Sequence, residues 1–200
     1  APGVESREAW KSWAVNRFPL PVDGEPALPG IPAMLRRRAD RLSRMALRVS
    51  CEVLGNERGI PVVLVSRHGS VGRSATLLAD LAAANPISAA GFASSVHNAS
   101  LGLLGIARAD PAPCVALAAG DGRVAAMLAE VAGLLSDGHP RVLGVLCDEP
   151  PPGFYQPYVG TEESALAWAG LFGVAGEGEM MTLEPGEGAA AAGNPALAWL

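Results

Sequence analysis

Three short polar segments hold most of the side chains that could take part in chemistry. They span residues 66–70, 94–98 and 120–122, and each follows a predicted strand or precedes a predicted helix, where α/β proteins place ligand sites. A Ser, a His and an Asp from these segments could form a triad for hydrolysis or group transfer. The candidate residues of this polar site are His68, Ser95, His97, Asn98 and Asp121.

Helix capping is the competing interpretation of the same residues. Ser and His at loop-to-helix junctions commonly satisfy backbone groups. The sequence Gly69-Ser70-Val71-Gly72 also lacks the G-x-S-x-G spacing of a nucleophile elbow. Capping is therefore favoured over a triad, and we expect His97 to be a buried hydrogen-bonding residue rather than a catalyst.

The sequence predicts no metal site and no cofactor. His68 and His97 could supply two metal ligands, but no third ligand is indicated by spacing. The three cysteines are widely separated and form no CxxC pair, which favours reduced thiols and a cytoplasmic protein. Because Lys11 is the only lysine, a phosphate-binding P-loop is impossible and Schiff-base chemistry is disfavoured.

A cluster of arginines is the strongest charge feature, and it lies on a predicted helix. It could bind phosphate or dock a carboxylate-rich protein. The alternative is a solvated helix face whose charges pair with nearby acids such as Asp40, Glu52 and Glu57. For carrier-protein docking, introduced below, the candidate residues are Arg37, Arg41, Arg44 and Arg48.

Hydrophobic periodicity predicts the elements that must position these residues. Apolar residues at spacings of three and four from Leu35 to Val53 predict a helix that ends near Gly55. A β-branched run predicts a buried strand at 61–65. Similar patterns predict helices at 74–84, 97–107, 123–135 and 162–173, and strands at 114–118 and 142–147.

The succession of these elements predicts an α/β fold. The strand, helix and strand between residues 114 and 147 form a unit whose two strands must be parallel. We expect one domain over residues 1–200, with an irregular lead-in at 1–34 and a poorly patterned tail at 176–200.

Composition excludes several classes of protein. Half of the residues are hydrophobic and 18% are charged, so the chain is not of the disordered type. No apolar run of about eighteen residues occurs, so we expect a soluble protein without a membrane span.

Residues 1–100 carry twelve basic against eight acidic side chains (+4), and residues 101–200 carry three against twelve (−9). Nucleic-acid binding would need a larger basic excess than the +4 of residues 1–100 and more aromatic residues than the 5% present. The basic half therefore suits a small acidic partner better than nucleic acid.

Several segments in succession resemble the β-ketoacyl synthases. Residues 34–54 (MLRRRADRLSRMALRVSCEVL) are similar to a family helix, and residues 62–81 (VVLVSRHGSVGRSATLLADL) to the strand and loop after it. Residues 94–107 (SSVHNASLGLLGIA) and 114–149 resemble the following helix and the nucleophile strand, helix and strand. SRHG followed by SVHNA is most similar to stand-alone N-terminal-domain proteins of clusters that make aryl polyenes. This resemblance implies half of a thiolase-like fold, with a mixed, mostly parallel sheet and helices on both faces.

The sequence departs from a working condensing enzyme at the nucleophile. The family takes up the acyl chain on a Cys at the strand-to-helix turn. That turn here is Ala119-Gly120-Asp121-Gly122, which offers neither Cys nor Ser. The family's two catalytic histidines belong to a C-terminal half that has no counterpart in these 200 residues. We therefore expect no catalytic residues for condensation in this chain.

The resemblance implies a non-catalytic subunit that acts like a chain-length factor in fatty-acid or polyketide synthesis. Its expected partners are an acyl carrier protein, a full-length ketosynthase or both, in a homo- or hetero-oligomer. Half of a two-halved architecture should leave an apolar helix face uncovered, namely the small-residue face of the helix at 97–107 or of the helix at 123–135. Two alternatives stay open: an acyl-thioester hydrolase or transferase that uses His68, Ser95, His97 or Asp121, and a purely structural homo-oligomer.

Overall fold

The protein is built on a four-stranded sheet. The computed structural model describes residues 4–16, 18, 20, 24–159 and 164–174. The strands are β1 (Val62–Ser66), β2 (Cys114–Ala118), β3 (Arg141–Asp148) and β4 (Leu166–Gly173), in the spatial order β2-β1-β3-β4. β1 is parallel to both β2 and β3, and β4 is antiparallel to β3. The mixed, mostly parallel sheet is therefore confirmed.

Seven α-helices accompany the sheet in the described part of the chain, and three of them cover its two faces. On one face, α3 and α6 pack on the side chains that include Val62 and Leu64. On the other face, α7 packs on the side chains that include Val63 and Val65. Because both faces are covered, all five residues of β1 are buried, which explains its β-branched, almost entirely apolar sequence. The helices are α1 (Arg7–Val15), α2 (Ala33–Arg38), α3 (Arg41–Leu54), α4 (Val71–Ala82), α5 (Ala89–Ala93), α6 (Ala99–Arg108) and α7 (Arg123–Ser136).

The predicted helix from Leu35 is two helices. Asp40 has an extended backbone, and its side chain accepts a hydrogen bond from the Ser43 amide at 2.9 Å. This is an N-cap, which begins a new helix instead of continuing the old one. α2 and α3 consequently meet at Ala39 and Asp40. The buried apolar stripe belongs to α3, whereas α2 has no buried residue and contributes the half-buried Leu35 to the same core cluster.

The predicted helix at 162–173 is wrong, because residues 166–173 form strand β4. Residues 166–173 adopt the strand conformation because they pair with β3 along their whole length. This pairing is a long-range contact, which the local pattern of apolar residues cannot indicate. The side chains of β4 nevertheless point to the two faces of the sheet, as in an ordinary strand. Trp168 and Phe172 pack on the α7 side, and Ala169 and Leu171 pack on the α3 side. Gly170 leaves the room that the Trp168 ring fills, because a Cβ there would lie 2.4 Å from the ring.

The two predicted end segments have different outcomes. The lead-in at 1–34 contains helix α1, whose Trp13 side chain is buried beside Val4 and Leu20. The tail predicted at 176–200 lies outside the described residues. No helix in the described ranges is long and apolar enough to span a bilayer.

Candidate functional site

The carboxyl ends of β1, β2 and β3 bring the predicted polar segments to one edge of the sheet. Ser66 ends β1, Asp148 ends β3, and a 3-10 turn at Gly120–Gly122 joins β2 to α7. His97 lies two residues before the start of α6. Its Nε2 donates a hydrogen bond to the Leu117 carbonyl oxygen at 2.8 Å, so its ring lies at the same edge. This edge is therefore the candidate site.

A buried ion pair lies at the centre of the site. The Nε of Arg123 is 2.6 Å from Oδ2 of Asp148, and both side chains are almost fully buried. The other carboxylate oxygen of Asp148 accepts hydrogen bonds from the Arg67 amide at 2.7 Å and the Ser66 hydroxyl at 3.3 Å. The Ser66 Oγ in turn accepts from the Gly69 amide at 3.0 Å. The pair thus ties the loop after β1 to the end of β3 and the start of α7.

Arg123 and Asp148 were not among the residues that the sequence singled out. Their signal is nevertheless present in the sequence, since Arg123 begins the apolar run of α7 and Asp148 ends the apolar run of β3, next to Glu149. Arg123 is also the first residue of α7, where the helix dipole disfavours a cation. Such a placement indicates a compensating anion, and Asp148 is that anion.

Contacts of Asp121 with two arginines hold the turn that follows β2. The Asp121 carboxylate is 3.1 Å from Nη1 of Arg67 and 4.0 Å from Nη1 of Arg123. Arg123 Nη1 also donates to the Gly120 carbonyl oxygen at 2.7 Å. This turn holds a carboxylate bound by two guanidinium groups and no thiol or hydroxyl nucleophile.

The other predicted site residues have structural contacts of their own. The His97 ring packs against Gly69, where a Cβ would lie 2.5 Å from Nδ1, and Gly69 has a φ of +59° that favours glycine. The Ser95 hydroxyl donates to the Phe92 carbonyl oxygen at 2.8 Å, so it closes α5 instead of capping α6. Asn98 is the N-cap residue of α6 but makes no side-chain capping bond, and His68 is exposed.

A charge cluster lies beside the site, where α3 and α4 approach the end of β3. Arg73 Nε is 3.3 Å from Oδ2 of Asp40, and Arg73 Nη1 donates to the Ser94 hydroxyl. Glu149 follows β3 and is largely buried. Burial and the nearby Asp40 carboxylate raise the pKa of Glu149 to about 7, although Arg41 and Arg73 act in the opposite direction.

We expect the Glu149→Gln substitution to flatten the pH dependence of stability. A raised pKa in the folded state adds stability that is complete below pH 4.5 and is lost as the pH rises to about 7. At about 1.4 kcal/mol for each pKa unit, this loss reaches up to about 3 kcal/mol. Denaturant unfolding from pH 4.5 to 8 should show a smaller decline for Glu149→Gln than for the wild type. Glu52→Gln, on the exposed side of α3, is the matched control, and an equal decline in all three proteins would contradict this prediction.

The four arginines proposed for docking do not form one open basic face. Arg44 donates to the carbonyl oxygens of Arg36 and Ala39 and lies 3.5 Å from Glu25. Arg48 pairs with Glu52 at 3.4 Å, and Arg41 is half-buried beside the Glu149 cluster. Arg37 is exposed at the end of α2.

Two of the three cysteines are poorly suited to act as nucleophiles. Cys147 is buried in β3, and burial raises the pKa of its thiol well above the usual value. The pKa of the Cys114 thiol in β2 is raised by partial burial of the sulfur and by Asp110. Within the described ranges, no group of three or more His, Cys, Asp or Glu side chains could hold a metal ion.

Comparison with known proteins gives the family. Residues 10–195 match the family described as "Beta-ketoacyl synthase, N-terminal domain". A chain in the structure of the ketosynthase ApeO in complex with its chain length factor ApeC, from Xenorhabdus doucetiae, is 32% identical with a TM-score of 0.77, over 88% of this chain and 76% of that chain.

A β-ketoacyl synthase from Burkholderia phymatum STM815 shares the fold with a TM-score of 0.57 at 15% identity. That match covers 76% of this chain and 42% of the Burkholderia chain. No curated protein matches the sequence. The match over nearly the whole length shows that this chain belongs to the β-ketoacyl synthase N-terminal domain family.

Proposed function

We propose that this chain is a non-catalytic, chain-length-factor-like subunit of an acyl-carrier-dependent fatty-acid or polyketide synthesis, of the aryl polyene type. The turn after β2 carries this proposal. In the synthases that the chain resembles, this turn holds the nucleophilic Cys. Here Ala119 or Gly120 falls at that position, and the next charged residue, Asp121, is held by Arg67 and Arg123. The turn is therefore held by salt bridges and has no thiol or hydroxyl that could accept an acyl chain.

The relative lengths of the two structural neighbours support the same assignment. The matched chain of the ApeO and ApeC complex is covered to 76%, whereas the Burkholderia synthase is covered to only 42%. The matched part of this chain is similar in the two comparisons, so the Burkholderia synthase is much the longer of the two neighbours. The neighbour with the higher identity, which comes from a complex of a ketosynthase with its chain length factor, is thus the shorter of the two.

The hydrolase alternative gains no support from the polar site. His97 Nε2 must carry a proton to donate to the Leu117 carbonyl oxygen, and the Ser95 hydroxyl is bound to Phe92. Neither arrangement gives a serine that donates to a histidine base, which activation of the nucleophile requires.

The proposal includes two partners. One is a ketosynthase chain that has the active-site Cys, as in the ApeO and ApeC complex. The other is an acyl carrier protein, which is acidic and would meet the exposed Arg37 at the end of α2. The complex would act in the cytoplasm, where the reduced thiols of this chain are stable.

Capture of the tagged full chain from its source organism tests this function. We expect mass spectrometry to identify a ketosynthase-fold chain with an active-site Cys and an acyl carrier protein. Arg37→Glu and raised salt should release the carrier but leave the ketosynthase bound, because the carrier contact is electrostatic. Lys11→Glu, at an exposed basic residue of α1, is the control. Recovery of the chain without any ketosynthase would overturn the proposal.

A further inference from the structure

Helices α4 and α5 contribute no residue to the hydrophobic clusters of the described core. Ala75 is the one buried residue of α4, and α5 has none. By contrast, α7 packs its large apolar side chains on the sheet and exposes small residues such as Ala125 and Ala129, which form an uncovered small-residue face of the predicted kind. Segments with few buried apolar contacts open locally at a lower free energy than the whole domain does.

One side chain, Arg73 in the first turn of α4, connects the two helices to other segments. Its Nε lies 3.3 Å from Oδ2 of Asp40 at the start of α3. Its Nη2 donates to the Arg38 carbonyl oxygen at 3.3 Å, and its Nη1 donates to the hydroxyl of Ser94, which ends α5. Among the described residues, no other side chain of α4 or α5 hydrogen-bonds to α2, α3 or the sheet.

The first turn of α4 also lies over the carboxyl group of Glu149, which follows β3. A Cβ added at Gly72 would lie 4.0 Å from Glu149 Oε1, so the helix and the carboxyl group are direct neighbours. The preceding residue, Asp148, is neutralised by its ion pair with Arg123. Movement of α4 away from β3 would therefore expose Glu149 to water and leave the buried pair in place.

The groups around Glu149 favour its neutral form while α4 is in place. Burial and the Asp40 carboxylate disfavour the ionised form, although Arg41 and Arg73 act in the opposite direction. Neither arginine is aligned to neutralise it. Nε and Nη2 of Arg41 are buried with no acceptor among the described residues, and the nitrogens of Arg73 bind elsewhere. An ionised Glu149 is therefore more stable where α4 does not cover it.

We propose that α4 and α5 form a proton-controlled flap, which is closed while Glu149 is neutral and opens when Glu149 is ionised. Opening breaks the contacts of Arg73 and exposes the carboxylate. The loop at 66–70 leads directly into α4, and its Ser66 and Gly69 belong to the candidate site. The flap therefore makes the conformation of this loop depend on pH.

The size of the effect follows from linkage between proton binding and opening. The pKa of Glu149 is raised to about 7 in the closed form, and the ordinary value of 4.5 applies once the carboxyl group is exposed. The open form therefore binds fewer protons between these two values, and opening becomes easier as the pH rises. The equilibrium constant for opening should increase about tenfold between pH 6 and pH 8.

Hydrogen exchange of the full-length chain at pH 6 and pH 8, corrected for intrinsic exchange rates and followed by mass spectrometry, tests the flap. We expect peptides from 71–93 to be less protected than peptides from α3 and α7 at both pH values. Their protection should fall about tenfold from pH 6 to pH 8 in the wild type and in the control Glu52→Gln. It should stay constant in Glu149→Gln. Arg73→Met should lower the protection of 71–93 at both pH values, whereas Arg48→Met should not.

A low concentration of urea separates local opening from unfolding of the whole domain. Local opening exposes little surface, so the protection of 71–93 should hardly change in about 1 M urea. Equal protection of 71–93 and the core helices would show that α4 and α5 open only with the whole domain, which would overturn the inference. A fall with pH that persists in Glu149→Gln would assign it to another group and overturn the inference as well. Wild-type protection that is constant or rises from pH 6 to pH 8 would show that ionised Glu149 pairs with Arg41 in the closed form, and would also overturn it.

Discussion

Replacement of Arg123 by methionine is expected to lower the free energy of unfolding by about 3–5 kcal/mol. The substitution leaves the Asp148 carboxylate buried with only the Arg67 amide and the Ser66 hydroxyl as its described donors. A domain of this kind is stable by roughly 5–15 kcal/mol in total, so the loss is a large fraction. Urea unfolding followed by circular dichroism measures it.

Two further variants show whether the cost comes from the unpaired charge. Arg123→Met combined with Asp148→Leu should recover much of the lost stability, because apolar residues of similar volume can replace a buried pair. Arg48→Met breaks the exposed pair with Glu52 and should change the free energy by less than about 1 kcal/mol. A cost for Arg123→Met as small as the cost for Arg48→Met would show that the buried pair is not the element that holds this edge together.

The second large effect is an absence of condensing activity. Incubation of the isolated chain with acyl-loaded and malonyl-loaded carrier protein should give no elongated product and no acyl adduct in intact mass spectra. The physical reason is that Cys147 is buried and both Cys147 and Cys114 have raised thiol pKa values, so little thiolate forms at neutral pH. The captured ketosynthase, assayed in parallel, is the positive control. An acyl group found on Cys114 or Cys147 would overturn the non-catalytic assignment.

Local sequence was enough to predict the elements that carry their own pattern. The strand at 114–118 was predicted with the bounds that the structure has, and the helix predicted at 123–135 extends to Ser136. Both have uniform apolar patterns and Gly-rich turns near their ends. The strand at 166–173 was missed because its conformation depends on β3, a partner that lies outside any local window of sequence.

The candidate site was predicted in part for a similar reason. Asp121 and His97 were singled out because they lie in polar segments, and the structure brings both to the same edge of the sheet. The buried pair of Arg123 and Asp148 was missed because α7 and β3 separate the two charges, which meet only after β3 has joined the sheet. Sequence spacing shows which residues share an element, but this site is assembled from the ends of three strands.

The strand order has a consequence for synthesis on the ribosome. β1 lies in the interior of the sheet, yet its neighbours β2 and β3 both come later in the chain, where Cys114 and Leu143 pair with Val62. An apolar strand therefore leaves the exit tunnel long before either neighbour exists, and such unpaired segments are prone to aggregate. Nascent chains that stall before residue 114 should accordingly depend on chaperones that bind β1.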